Sequence, residues 1–270
     1  MNQSKDLLLK SLRAVLFGEK LNASDFAEAD WKSIFQLADE QTVSALLLGG
    51  MSLLPSECIA IPFGDKLKRI AAMQRIEQTN RLHREIIVKI DKVLKSEGIP
   101  VVFMKGQTTA LRYPNPLHRT PGDIDFVVDS KDFKKAMEVL EKIGKVDHHL
   151  VHEHHGMAWV DGVTVEPHYK VHNYQCPSTD HAMQEMFASV FPSELSSADM
   201  DGYAVPVFPP TFESVFLISH MVNHVYEEGL GLRQVIDYVM FLHSGADKID
   251  WLQHHEYRHS CKYPWLIFVV

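Results

Sequence analysis

The sequence predicts an α+β protein, a small mixed sheet in the middle of the chain flanked by helical segments before and after it. Three observations predict this. The first hundred residues carry apolar side chains at three- and four-residue spacing, with helix start and stop signals between them. The middle of the chain alternates short apolar runs with helix-like stretches. Helical spacing then returns from Thr211 onward. The expected division is residues 1–97, helical; 98–175, the sheet-bearing core; and 176–270, mostly helical.

In order, Leu7, Leu8, Leu12, Val15 and Leu16 share one helical face. Asn22-Ala23-Ser24-Asp25 is a helix-start signal, followed at helical spacing by Phe26, Trp31, Ile34, Phe35 and Leu37. A further helix is expected over 42–54, stopped by Pro55, and a long one over about 64–96, ended by Gly98-Ile99-Pro100. The core should run strand 100–104, helix 106–112, loop 113–121, strand 123–129, helix 131–143, then strands near 147–160 and 163–171. Asp161-Gly162 between the last two is a two-residue hairpin turn. Residues 176–210 read as mixed, with a loop over 206–210. The last eight residues, 263–270, are almost all hydrophobic, which predicts either docking into a core or interface, or a chain shorter than its relatives.

Composition narrows the classes. The net charge is −8 with no long Lys/Arg run, so no broad nucleic-acid surface is advertised. Three widely spaced cysteines, with no CxxC pair, suggest neither a zinc ribbon nor a disulfide framework and fit a reducing cytoplasm. No apolar run approaches the roughly 18 residues of a membrane helix, so no membrane partner is expected. Seven of the sixteen histidines fall between His148 and His172. They read either as a histidine-rich hairpin surface or as an auxiliary metal or phosphate site.

Gly122-Asp123-Ile124-Asp125 carries the chemistry. In a strand, side chains two apart share a face, so Asp123 and Asp125 would stand side by side while Ile124 and Phe126 enter a core. Two such carboxylates repel unless a cation lies between them, and Mg²⁺ (or Mn²⁺) takes hard oxygen ligands together with substrate phosphates. Alone, Asp-x-Asp also occurs in turns and solvated strand ends. Here a strand enters Lys105-Gly106-Gln107-Thr108, a glycine turn and helix start of the kind that meets phosphate. A later strand carries Glu166 and His168. Lys105 could meet a triphosphate or snorkel at the surface. Gln107 and Thr108 are candidate phosphate donors, and Arg119 could brace a carboxylate or phosphate or form a structural ion pair. His220 and His224, one turn apart without a His-Glu-x-x-His signature, read as a packed or substrate-side pair. Arg233 and Asp237 read as an intrahelical ion pair or as a helix presenting Arg233 to a cleft.

Met104-Lys105-Gly106, Arg119, Asp123-Ile124-Asp125-Phe126-Val127-Val128 and Val165-Glu166-Pro167-His168 together resemble the DNA polymerase beta-like nucleotidyltransferase superfamily. The likeness is to a bacterial branch of uncharacterised nucleotidyltransferases with a Leu-Lys-Gly … Arg … Asp-Ile-Asp core. The resemblance spans roughly residues 95–240 and includes Gly231-Leu232-Arg233-Gln234-Val235-Ile236-Asp237. Most of the superfamily has Gly-Ser where Lys105-Gly106-Gln107 stands, so the phosphate grip should differ. The resemblance implies Asp123, Asp125 and Glu166 as catalytic metal ligands for two Mg²⁺ ions. A nucleoside triphosphate such as ATP would be the donor, and a small molecule or protein the acceptor. Rival expectations are a non-catalytic nucleotide-binding module, a toxin–antitoxin component and a metal-dependent phosphohydrolase. The oligomeric state is not fixed by the sequence.

Overall fold

The computed structural model describes residues 3–149, 154–172, 174, 176–227 and 229–261. The expectations for the apolar tail, for His152 and for part of the strand near 147–160 lie outside the described residues. The chain forms two compact units, each drawn from separate stretches of sequence.

The first unit comprises residues 1–82, 110–121 and 231–237. It holds α1 (Gln3–Phe17), α2 (Trp31–Glu40), α3 (Ser44–Met51) and the beginning of α4 (Phe63–Ser96). Leu7, Leu8, Leu12 and Leu16 of α1 are buried, as their spacing predicts. The helix expected to start at Asn22 begins later. Asn22 caps only the 3-10 turn Ala23–Phe26, accepting from the Ser24 N–H, while Asp30 caps α2 by accepting from the Ser33 N–H at 3.2 Å. The helix expected over 42–54 forms over the shorter span of α3. There Gly50 backs onto α1 so closely that a Cβ would lie 2.5 Å from the Ser11 carbonyl oxygen. Gly50→Ala should therefore force the two helices apart and cost about 1–3 kcal/mol, read as a lowered midpoint in denaturant unfolding.

The second unit comprises residues 83–109, 122–230 and 238–270. Its centre is a seven-stranded mixed sheet built from β1 (Val102–Met104), β2 (Ile124–Val127), β3 (Lys145–Asp147), β4 (Met157–Val160), β5 (Val163–His168), β6 (Ser196–Met200) and β7 (Tyr203–Val207). The order across the sheet is β3-β4-β5-β2-β1-β7-β6. β2 runs antiparallel to β1 and parallel to β5, and β1 runs parallel to β7. β1 is apolar on both faces, and β2, with Asp125 inside it, is buried at all four positions. Short helices α5 (Gly106–Ala110) and α6 (Phe133–Leu140) follow β1 and β2, and both are shorter than expected. Asp161 and Gly162 both take positive φ, closing the β4–β5 hairpin in the predicted turn.

Residues 176–210, expected as mixed with a terminal loop, form α7 (Pro177–Val190) and the β6–β7 hairpin. Pro206 sits inside β7, where its missing N–H costs little because β1 meets β7 at only one register pair, Phe103 with Val207. The helices expected from Thr211 on appear as α8 (Pro210–Glu227), α9 (Leu232–Gly245) and α10 (Trp251–Ser260). Val102, Met104 and Val127 from the sheet pack with Met183, Phe212, Phe216 and Phe241 from α7, α8 and α9 in one apolar core. Among the described residues no helix is long and apolar enough to cross a membrane.

Candidate active site

The site is built on two adjacent parallel strands. Asp123 stands immediately before β2 and Asp125 within it, so their side chains share one face. β5 lies in register beside β2 and sets Glu166 opposite Asp125, Val165 opposite Ile124 and His168 opposite Val127. One oxygen from each of Asp123, Asp125 and Glu166 lies within 4.8 Å of the other two. Asp123 is partly exposed, Glu166 half-buried and Asp125 buried, so the triangle opens to solvent on the Asp123 side.

Lys105 is the cation of this group. The residue takes φ +57° just after β1, and its Nζ lies 3.1 Å from Asp125 Oδ1. It does not snorkel at the surface: it is an internal counter-ion. His168 Nε2 lies 3.0 Å from the same Asp125 oxygen and is buried. Burial opposes ionisation of Asp125, but Lys105 and the His168 hydrogen bond outweigh it and hold the carboxyl well below the usual carboxylate range. Burial likewise lowers the Lys105 value, and the Asp125 and Asp123 charges outweigh it and keep the ammonium protonated. Burial holds the His168 imidazole below its ordinary value despite Asp125, so the ring is neutral and donates Nε2–H.

The other two carboxyls are short of positive charge. Burial, then Asp125 and Asp123, push Glu166 up to about 8, and Glu166 is hydrogen-bonded to Asp123. Asp123 is raised by the Asp125 charge and by burial. Three carboxyls facing one ammonium therefore hold an extra proton near neutral pH, a proton that a divalent cation can replace. Their all-oxygen donor set suits a hard ion such as Mg²⁺ or Mn²⁺.

The turn after β1 is tight. Gly106 has φ +49°, and a Cβ there would meet only the Asp123 carbonyl oxygen at 3.5 Å. The helix it opens is five residues long. Gln107 is buried and its side-chain oxygen takes Arg84 Nε at 3.3 Å, while the Thr108 hydroxyl donates to the Lys105 carbonyl at 2.7 Å. Arg84 is also paired with Asp201 at 2.9 Å.

Arg119 and Arg233 belong to the first unit. Arg119 donates through Nε and NH2 to the two oxygens of Asp237, each at 2.8 Å, forming a bidentate pair across 118 residues of sequence. The Tyr113 hydroxyl donates to the same carboxylate at 2.6 Å. Arg233 NH1 donates to the Thr120 carbonyl at 3.3 Å.

The histidines divide. His148 and His149 lie at the surface, as the hairpin-surface reading expects. His155 and His168 do not: both are buried. The β4–β5 pairing continues past β4 through the Gly156 N–H to the Pro167 carbonyl and a bridge between His155 and His168. His155 is thereby brought to Glu166, with Nδ1 3.3 Å from Oε2. His155 is one of the seven clustered histidines, and counting back from the Asp161-Gly162 turn pairs it with His168. His154 and His172 follow in ring contact, with burial pulling each down to about 3. His172 meets His220, and His220 Nε2 lies 3.0 Å from His224 Nε2, one turn along α8.

No protein of curated function matches the chain in sequence. Among solved structures, the antibiotic-resistance factor ANT(2'')-Ia is similar at 14% identity and a TM-score of 0.45, both in solution and in complex with adenylyl-2''-tobramycin. Each of these covers 65% of this chain and 97% of the neighbour. An antigenic nucleotidyltransferase-like protein from Paracoccidioides brasiliensis is similar at 13% identity and a TM-score of 0.43, over 66% of this chain and 84% of its own. The sequence profile of the uncharacterised nucleotidyltransferases matches residues 27–263, most of the sequence, and the chain belongs to that family.

Proposed function

We propose that the protein is a Mg²⁺-dependent nucleotidyltransferase. It moves a nucleoside monophosphate from a nucleoside triphosphate, ATP being the first candidate, onto a hydroxyl of a small-molecule or protein acceptor and releases pyrophosphate. One observation carries the reading: three carboxylate oxygens from adjacent parallel strands within 4.8 Å of one another, in a chain of a nucleotidyltransferase family. Asp123, Asp125 and Glu166 would hold the ion, and Mn²⁺ should substitute for it. When bound, Mg²⁺ offsets the triphosphate charge against these carboxylates and favours an acceptor oxygen as nucleophile. Lys105 and His168 keep Asp125 ionised and fixed. The acceptor O–H would pass its proton to water as its oxygen bonds the α-phosphorus, and the bond from that phosphorus to the β-phosphate oxygen breaks to release pyrophosphate. A net charge of −8 favours a small-molecule or protein acceptor over bulk nucleic acid. Free Cys58, Cys176 and Cys261 fit a reducing, cytoplasmic setting.

The test is transfer of label. With Mg²⁺ and α-labelled nucleoside triphosphates, the protein should release pyrophosphate and leave the label on an acceptor from cell extract. Free phosphate without a labelled acceptor would indicate a phosphohydrolase instead, and nucleotide binding with no turnover would indicate a sensing module.

Gly106 probes the turn. An alanine there has room but must adopt φ near +49°, which costs about 1 kcal/mol or somewhat more. If the backbone approaches phosphate at this point, Gly106→Ala should lose more nucleotide affinity than stability. Unchanged affinity in the folded fraction, measured beside the thermal midpoint, would remove the turn from the active site.

A further inference from the structure

We propose that His155, Glu166 and His168 form a second cation site. It would bind a divalent transition metal with nitrogen affinity, Zn²⁺ above all, and it shares only Glu166 with the all-carboxylate site. Two imidazole nitrogens and one carboxylate oxygen cluster here, although His168 Nε2 also holds its 3.0 Å hydrogen bond to Asp125. His155 Nδ1 lies 3.3 Å and His168 Nε2 3.9 Å from Glu166 Oε2, and all three ligand atoms lie within 4.8 Å of one another. Ligands about 2.0–2.1 Å from a tetrahedral zinc are separated by roughly 3.4 Å, so a small contraction of this triangle would close it on an ion. One imidazole would suffice to pair with Glu166; two ring nitrogens and a carboxylate oxygen gathered within 4.8 Å offer a mixed nitrogen–oxygen donor set.

The scaffold fixes these donors before any ion arrives. Glu166 and His168 are two apart on β5, and His155 is bridged to His168 across the hairpin, so all three project from one face. The His155 and His168 rings stack with centroids 5.1 Å apart. Both histidines are buried, which limits the entropy lost on binding. Ligation through His168 Nε2 exchanges its hydrogen bond to Asp125 for a metal bond and places the ring proton on Nδ1. Among the described residues Nδ1 has no hydrogen-bond partner, so no existing bond is broken there. Asp125 keeps Lys105. A two-nitrogen, one-oxygen set favours Zn²⁺ or Co²⁺ over Mg²⁺, which prefers oxygen throughout.

The experiment needs no nucleotide, so its outcome is separate from that of the nucleotidyl-transfer reading. Chelator-stripped protein is titrated with Co²⁺ and followed by visible absorption, then with Zn²⁺ against a chromophoric chelator. One ion per chain should bind, and His155→Ala and His155→Gln should each weaken it at least a hundredfold. Asp123→Asn, outside the triad, should keep Zn²⁺ affinity within severalfold. X-ray absorption at the zinc edge of the wild-type protein should show two imidazole ligands, and this reading stands even where a histidine variant fails to fold. Absence of stoichiometric binding, a zinc environment without imidazole, or full-strength binding by folded His155→Ala would each overturn the site. The last of these would place the ion on exposed histidines such as His148 or His149.

Discussion

Replacing Asp125 by asparagine should abolish label transfer, with kcat/KM falling by about 10³-fold or more, because several kcal/mol of metal-dependent transition-state stabilisation disappears. The substitution is nearly isosteric, but it removes the one carboxylate to which both Lys105 and His168 are bonded. Lys105 then keeps only the neighbouring charges of Asp123 and Glu166. Leaving a buried charge without its partner costs about 3–5 kcal/mol at the upper end, so the thermal midpoint should fall as well. Single-turnover kinetics on the folded fraction separates the two effects. A folded Asp125→Asn protein with activity within tenfold of wild type would remove Asp125 from the chemistry.

Glu166→Gln should act in the opposite direction on stability. A carboxyl whose folded value is raised stabilises the native state at low pH, and that contribution is lost as pH rises through the folded value, here about 8. Between pH 7 and pH 9 the metal-free wild type should therefore lose about 1 kcal/mol that Glu166→Gln does not lose. The histidines with lowered values do not oppose this, because they are neutral in both states above pH 7. Saturating Mg²⁺ should flatten the wild-type profile, with release of up to one proton per ion near pH 7. Label transfer by Glu166→Gln should fall by about 10²-fold or more through loss of a ligand. Denaturant unfolding at the two pH values checks the stability claim; equal slopes for the two proteins would show that Glu166 is not raised.

Much of the site was readable because it follows strand periodicity. The two-residue spacing of Asp123 and Asp125, and a later strand carrying Glu166, needed only that β2 and β5 become neighbours. The Asp161-Gly162 turn was legible from its residue types, and it also encodes the His155–His168 pairing by simple counting. The same signal, Asp201-Gly202 with positive φ at both residues, marks the β6–β7 hairpin. It was masked by Pro206, whose strand-breaking tendency is relieved by the short β1–β7 contact.

Burial and long-range pairing were not legible. Lys105 in sequence is equally compatible with a surface position, and only the fold sets it beside Asp125. A bidentate partner of Asp237 lies 118 residues away in Arg119, a separation that local helical spacing cannot reveal. The helix start was placed too early: Asn22 caps only a 3-10 turn, and α2 starts at the cap Asp30, eight residues on.

Asp123, Asp125 and Glu166 should bind nucleoside triphosphate only through a divalent cation. Calorimetric titration with a non-transferable nucleoside triphosphate analogue, in Mg²⁺ and again in excess chelator, tests it most directly. Binding should be measurable in Mg²⁺, at least a hundredfold weaker in chelator, and insensitive to Mg²⁺ in Asp123→Asn. Equal affinity with and without the ion in the wild-type protein would contradict the account.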